Sequence, residues 1–175
     1  MPRKIPQVIS QEEFEQLFSY VLKQKKKNSK VYALTMLLGF EAGMRISEIV
    51  GWKDVPKLER DKVNFSQNII WVKGKGGKER VVPLPKRVGN NAIKLLPLTL
   101  SRRSIQAFVT DTAKKVLDKH ITFHTLRHSF ATHYLNKTDD IRGLQVMMGH
   151  SRLDTTAIYA HVNPEKVIQR ARDVF

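Results

Sequence analysis

The chain has 175 residues, enough for one domain with a sizeable core, and carries 31 Lys and Arg against 16 Asp and Glu, a formal charge of +15. On a folding-competent composition this excess points to a polyanionic partner, most simply nucleic acid, with a generic basic surface as the plain alternative. The chain has no cysteine, which excludes a disulfide framework and a thiolate metal site; no apolar run approaches the ~20 residues of a membrane span, and no long basic amphipathic segment stands out, so an acidic membrane surface is the weaker rival and no membrane partner is expected.

Residues 1–9 read as an extended leader broken by Pro2 and Pro6, and Met1-Pro2-Arg3-Lys4 opens no apolar signal segment. With the missing cysteines, this sets the expectation of a cytoplasmic protein. Ser10 and Glu13 form a capping-box pattern, and Phe14, Leu17, Phe18, Val21 and Leu22 follow at helical spacing. Lys23 to Lys30 reads as a basic turn, either solvated or against a polyanion. A second helix is predicted from about Val31, with Leu34, Leu37 and Leu38 as its apolar stripe, stopping at Gly43.

Strands are predicted where β-branched and aromatic residues gather: Asn64-Phe65, then Ile69-Ile70-Trp71-Val72, and, after the turn Gly74-Lys75-Gly76-Gly77, Glu79 to Leu84. That turn lacks the spacing of a nucleotide-binding P-loop. Residues 86–98 read as irregular. Ser101 caps the next predicted helix, whose buried face is Ile105, Phe108, Val109, Ala113 and Val116. Further helices are predicted at about 124–136, 139–148 and 152–161. A last one begins near Asn163-Pro164, with Val167, Ile168, Ala171, Val174 and Phe175 on one face.

The stretch from His124 to Tyr159 concentrates chemistry. His124 and Arg127 are three apart and share a helix face. Gly149 closes one helix; Ser151 and Asp154 form a capping box for the next, which puts His150 at the corner and Tyr159 two turns in. His124 and His128, four apart, lack the glutamate of a zinc-protease motif, since Thr125 follows the first; no metal and no cofactor are expected. Tyr20, Tyr32 and Tyr134 are rival phenols.

This box, H-x-x-R, then G-H, then Tyr159, resembles that of the tyrosine recombinase (phage integrase) family, in its Xer-like form. Two further patterns agree: Gly43-Met44-Arg45-Ile46-Ser47-Glu48, like the family's G-x-R-x-S-E, and Gly74-Lys75-Gly76-Gly77-Lys78-Glu79-Arg80, like its β-hairpin lysine motif. The resemblance runs from about Ser10 to Pro164, and the stretch between Trp52 and Val63 is longer than the family's pattern. It implies a mainly α fold with a small antiparallel β-sheet, the tyrosine recombinase catalytic-domain fold. Residues 10–175 would form a single catalytic domain ending in a helix at about 164–175, whose apolar face would pack on the chain's own core or, as the family's C-terminal segment often does, dock on a neighbouring subunit. The family's N-terminal core-binding domain, about a hundred residues in the size range of small modules, would be absent, whether the chain is an excised domain or a naturally short member.

The catalytic set implied by the resemblance is Arg45, Lys75, His124, Arg127, His150 and Tyr159. Glu48 would orient a catalytic histidine, or serve as an ordinary surface carboxylate. Lys73, Lys78, Arg80, Arg102 and Arg103 are DNA-contact candidates, with plain surface placement as the alternative. The function implied is that of a site-specific recombinase or integrase that cleaves and rejoins double-stranded DNA through a 3′-phosphotyrosyl intermediate, without metal or ATP. It would act as a homo-oligomer, a tetramer on DNA, associated with the nucleoid or encoded by a virus or mobile element. The alternatives are type IB topoisomerase-like strand relaxation and a DNA-binding protein without catalysis.

The residue types suit that chemistry. A tyrosine titrates near pH 10, so about a thousandth is phenolate at neutral pH, and His124 and His150 are placed to take its proton or stabilise the anion. Arg45 and Arg127 can bind a phosphate's nonbridging oxygens bidentately. Lys75 has a flexible stem with which to deliver a proton to the leaving 5′ oxygen.

Overall fold

The computed structural model describes residues 7–24, 26–149 and 164–175. The predicted capping box is present. Ser10 Oγ accepts from Glu13 N at 3.2 Å and Glu13 returns to Ser10 N at 3.0 Å, opening α1 (Gln11–Lys23), which buries Phe14, Leu17 and Val21. Leu22, assigned to the same stripe, is instead 51% exposed. Ahead of the cap, Ile9 is buried and tied down: its N–H donates to Ser129 Oγ at 3.0 Å and its carbonyl accepts from His133 Nε2 at 2.8 Å.

α2 (Ser29–Phe40) is apolar on every side and runs through the centre, packed by α1, by α5 (Arg102–Leu117) and by α6 (Phe123–Thr138). A helix hydrophobic all round belongs in the core, and this one is enclosed. α3 (Ile46–Val50) follows, and then a hairpin of β1 (Gly51–Trp52) and β2 (Val55–Lys57), paired Trp52 to Val55. This hairpin and a short 3₁₀ turn, Arg60–Lys62, occupy the stretch between Trp52 and Val63, where no strand was predicted.

The main sheet is antiparallel, in the order β3 (Val63–Asn64), β4 (Ile69–Lys73), β5 (Glu79–Pro83). Its register pairs Ile70 with Val82 and Val72 with Arg80, all four side chains on the buried face, while Trp71 and Lys73 face out. This two-residue alternation is what pleating requires. The stretch 86–98, read as irregular, contains one short helix, α4 (Asn90–Ile93). α5 starts at the predicted cap, with Ser101 Oγ accepting from Ser104 N at 3.1 Å.

α6, capped by Thr122, leads to α7 (Ile141–Met148), which ends on Gly149 at φ 61°, the left-handed turn foreseen there. The predicted helix at 152–161, its Ser151–Asp154 cap and the Asn163 cap lie outside the described residues. The last helix, α8 (Pro164–Val174), packs on α6 and β5 of its own chain. Val167, Ile168, Ala171 and Val174 are buried there beside Phe130, Tyr134, Leu144 and Met147. Val174 O accepts from Gln11 Nε2 and Lys137 Nζ, both at 2.7 Å, and the Phe175 ring packs against Phe40 and Phe130. The architecture is mainly helical with small antiparallel sheets, and among the described residues no helix is long and apolar enough to cross a membrane.

Candidate active site

Arg45 is the N-cap of α3, and Glu48 holds it there twice. The carboxylate accepts from the Arg45 backbone N–H at 2.7 Å and from Arg45 Nη1 at 3.0 Å. Arg45 remains 41% exposed at its side chain, so the guanidinium is fixed at its inner edge and open to solvent on the other. Gly43, two residues back, turns the chain at φ 62°. A Cβ there would stand 2.5 Å from Phe130 Cδ1, so only glycine lets the chain lie against α6.

Arg127 comes up from α6 beneath this turn and is 3% exposed. Its guanidinium donates to Gly43 O and, at 2.7 Å, to Met148 O, and stands 4.0 Å from Glu48 Oε2. Two carbonyls far apart in the sequence are thereby satisfied by one side chain, with donors of its five left over. Burial, together with the positive charges of Arg45 and Arg80, pulls Arg127 down to about 9, which keeps it protonated at neutral pH.

Glu48 is the centre of this cluster. Burial opposes its ionisation, but the hydrogen bonds and charge of Arg80, the Arg45 N–H and the charge of Arg127 outweigh that and hold its carboxyl below the usual range. Among the described residues its partners are arginines, not a histidine. Expected either to orient a catalytic histidine or to serve as an ordinary surface carboxylate, Glu48 is 3% exposed, which overturns the surface reading, and among the described residues what it orients is Arg45 and Arg80; His150 lies outside them.

Arg80 is the second correction. Expected as a DNA contact, it is 8% exposed and bonded forkwise to Glu48, Nη1 to Oε1 at 2.7 Å and Nη2 to Oε2 at 2.9 Å. Its Nε donates to Met147 O at 2.6 Å. The signal was in the strand alternation: Arg80 shares a pleat face with Val82, which is core.

Lys75 sits at the tip of the β4–β5 hairpin, in a 3₁₀ turn over Lys75–Gly77, and is exposed. The tip is anchored sideways, with Gly76 N–H donating to Asp54 Oδ2 at 3.2 Å from the β1–β2 hairpin. Its base abuts the arginine cluster, since a Cβ at Gly74 would lie 3.5 Å from Glu48 Oε1. No sequence signal marked Asp54 for this role.

His124 opens α6 one turn before Arg127 and is exposed, its ring edge-on to His128 at 4.8 Å between centroids. Partial burial, then the charges of His128, Arg127 and Arg45, lower its pKa, which favours the neutral imidazole. His150 and Tyr159 lie outside the described residues. Of the rival phenols, Tyr134 is fully buried and donates to Asp140 Oδ2 at 3.0 Å; burial and the Asp140 charge push its pKa up, opposite to what a nucleophile needs. Lys73, Lys78, Arg102 and Arg103 are exposed, with the Arg102 guanidinium 4.0 Å above the Trp52 ring. Among the described residues no group of three or more His, Cys, Asp or Glu could hold a metal.

Two buried arginines on one carboxylate, with a half-exposed arginine, a histidine and a lysine-tipped hairpin around them, define an anion-handling centre on a helical domain. The chain belongs to the phage integrase family, which it matches over residues 7–99 and 97–166. It is 34% identical over 184 aligned positions to the tyrosine recombinase XerA of Thermococcus kodakarensis, covering 94% of this chain and 61% of that protein. It is 32% identical to the tyrosine recombinase XerD of Staphylococcus haemolyticus, covering 95% and 62%. The chain thus spans about three fifths of the length of these curated relatives. Among solved structures, the integrase of mycobacterium phage Brujita superposes with a TM-score of 0.76 at 20% identity, over 100% of this chain and 60% of that one. A XerA recombinase gives 0.64 at 26% identity, over 96% and 64%. XerH bound to its difH substrate gives 0.61 at 23% identity, over 98% and 55%.

Proposed function

We propose that this chain cleaves and rejoins double-stranded DNA as the catalytic domain of a site-specific recombinase. The observation that carries the reading is the convergence of Arg45 and Arg127, from the start of α3 and from α6, on Glu48 beside His124. A phosphodiester passing through a pentacoordinate state needs fixed positive charge on its nonbridging oxygens. Arg45 offers an open guanidinium edge for this, backed by a buried cation at Arg127.

In the proposed step the Tyr159 oxygen bonds to phosphorus and the bond from phosphorus to the 5′ oxygen breaks. The phenol proton passes to His150 or His124, and Lys75 protonates the departing oxygen. The products are a 3′-phosphotyrosyl linkage and a free 5′ hydroxyl, and attack by another DNA hydroxyl reverses the step without ATP. The exposed Lys73, Lys78, Arg102 and Arg103 supply backbone contacts, so binding weakens steeply with salt.

Incubation with end-labelled nicked duplexes carrying candidate sites, in EDTA, tests the reading. A protein–DNA adduct that survives denaturation and is lost in Tyr159→Phe is expected. No adduct with any duplex, an adduct retained in Tyr159→Phe, or cleavage that needs magnesium would overturn it. Religation within one duplex, with supercoils relaxed and no strand exchange, would favour the topoisomerase-like alternative. Assembly as a tetramer on DNA is part of the proposal. Exchange of α8 between subunits is not, because its apolar face is covered by its own chain. Removal of residues 164–175 should therefore lower the melting temperature and weaken single-site binding alike.

A further inference from the structure

We infer that Arg80 is a positioning residue for this reaction: one buried guanidinium that locks the start of α3 bearing Arg45, the strand that leaves the Lys75 turn and the Met147–Gly149 end of α7 to one another. The inference rests on the recombinase reading of the site and assigns within it a residue that no chemical step uses.

Each side of the guanidinium faces a different segment. Its two terminal nitrogens grip both oxygens of Glu48, at 2.7 and 2.9 Å. The same carboxylate holds the Arg45 backbone at 2.7 Å and the Arg45 guanidinium at 3.0 Å. The remaining nitrogen, Nε, donates to Met147 O at 2.6 Å, in the last turn of α7, two residues before Gly149. The stem lies against Gly149 itself, where an added Cβ would stand 3.1 Å from Arg80 Cδ. His150 follows directly in the sequence. Arg80 in turn belongs to the strand that descends from the Lys75 turn, paired Val72 to Arg80.

A planar fork with donors on three edges can serve these partners together; a lysine ammonium in the same place keeps the charge but loses the fixed geometry. Arg80 also keeps Glu48 from being satisfied by Arg45 alone. With Arg80 removed, a buried carboxylate 1% exposed would draw on Arg45 and Arg127 for compensation and pull their charge away from the phosphate.

The test compares wild type, Arg80→Lys, Arg80→Met and Glu48→Gln on two nicked duplexes at saturating protein. One carries the normal scissile phosphodiester; the other carries a methylphosphonate there, which removes one nonbridging charge. Affinity and its salt dependence are measured alongside. Arg80→Lys and Arg80→Met should each slow adduct formation on the phosphodiester by about tenfold, less than the roughly hundredfold or more of losing a transition-state donor outright, because Arg80 acts through Arg45. They should slow it much less on the methylphosphonate, where misplaced arginines matter less. The affinity and salt slope should stay at the wild-type values, and the combination of Arg80→Met with Glu48→Gln should be no slower than the worse single variant.

Equal slowing on both duplexes would mean general loss of structure and would overturn the inference, as would wild-type rates in both Arg80 variants. A salt slope reduced by about one would return Arg80 to a direct phosphate contact. If Arg80→Met does not fold, Arg80→Lys and Glu48→Gln decide the matter by the same comparison. A wild-type chain that forms no adduct on either duplex defeats the recombinase reading itself, whereas normal wild-type cleavage with unaffected Arg80 variants defeats only the positioning role.

Discussion

The arginine cluster and the lysine hairpin meet at Glu48 and Gly74 yet are built on opposite plans. Arg80 and Arg127 are 5% and 3% exposed at their side chains, and every bond described for them goes to a carboxylate or a backbone carbonyl. Lys75 stands in solvent on a glycine-rich turn steadied by one backbone bond to Asp54. Fixed charge that stabilises a transition state works best when it needs no reorganisation, so it is buried and braced. A proton donor has to reach an atom that moves as its bond breaks, which suits a long stem on an open loop. The comparison predicts that damage to the cluster is paid in both stability and rate, and damage to the hairpin tip in rate alone.

Arg127→Ala should have the largest effect. It strands Gly43 O and Met148 O, each at about 1–3 kcal/mol, so the melting temperature should fall by roughly 10 °C for a chain of this size. Adduct formation should fall by about a hundredfold or more. An unchanged melting curve would break the view of Arg127 as a brace.

Lys75→Ala comes next. The rate should drop by about a hundredfold, in the range of general acid catalysis, with the melting temperature unmoved because the residue is exposed. A duplex with sulfur in place of the bridging 5′ oxygen, whose leaving group needs no proton, should restore most of the rate. Equal defects on both duplexes would remove Lys75 from proton transfer.

Glu48 makes the cluster sensitive to acid. Its carboxyl titrates below its ordinary value of 4.5 in the folded chain, so the unfolded chain binds the proton first as pH falls. The stability from ionised Glu48 is present above the unfolded value and is lost as pH falls through the folded one. The gap in melting temperature between wild type and Glu48→Gln should be constant above about pH 5.5 and close in stronger acid. A gap independent of pH would mean that the arginines do not hold this carboxylate ionised.

The smallest effect concerns His124, at the border of the two regions. Its ring should titrate below its ordinary value of 6.5, read from its imidazole proton resonances, and Arg45→Met should move the midpoint up by removing a neighbouring positive charge. A midpoint that Arg45→Met leaves unmoved would show that the cluster's field does not reach it.

Much of the fold was legible because its signals are local. The Ser10–Glu13 box, the Ser101 cap, the strands flanking Gly74 to Lys78 and the Gly149 stop each depend on a few neighbouring residues, and each stands where the sequence put it. The motifs carrying Arg45, Lys75, His124 and Arg127 were equally readable, as residue types at fixed spacing. What the sequence left open was decided by packing between distant segments. Leu22 fits the stripe of α1 but is 51% exposed, whereas Val21 beside it is buried. The apolar face of α8 could have served a neighbouring subunit; burial against Phe130, Tyr134 and Met147 assigns it to its own core. The burial of Arg80 was legible in the strand alternation, but it lies 32 residues from Glu48 and 67 from Met147, so no periodicity could reveal that the one neutralises its charge and the other accepts from its Nε. A charged residue's sequence tells its chemistry, but its exposure is set by whatever the chain brings against it, and here that contact turns an apparent DNA-binding arginine into the brace of the site.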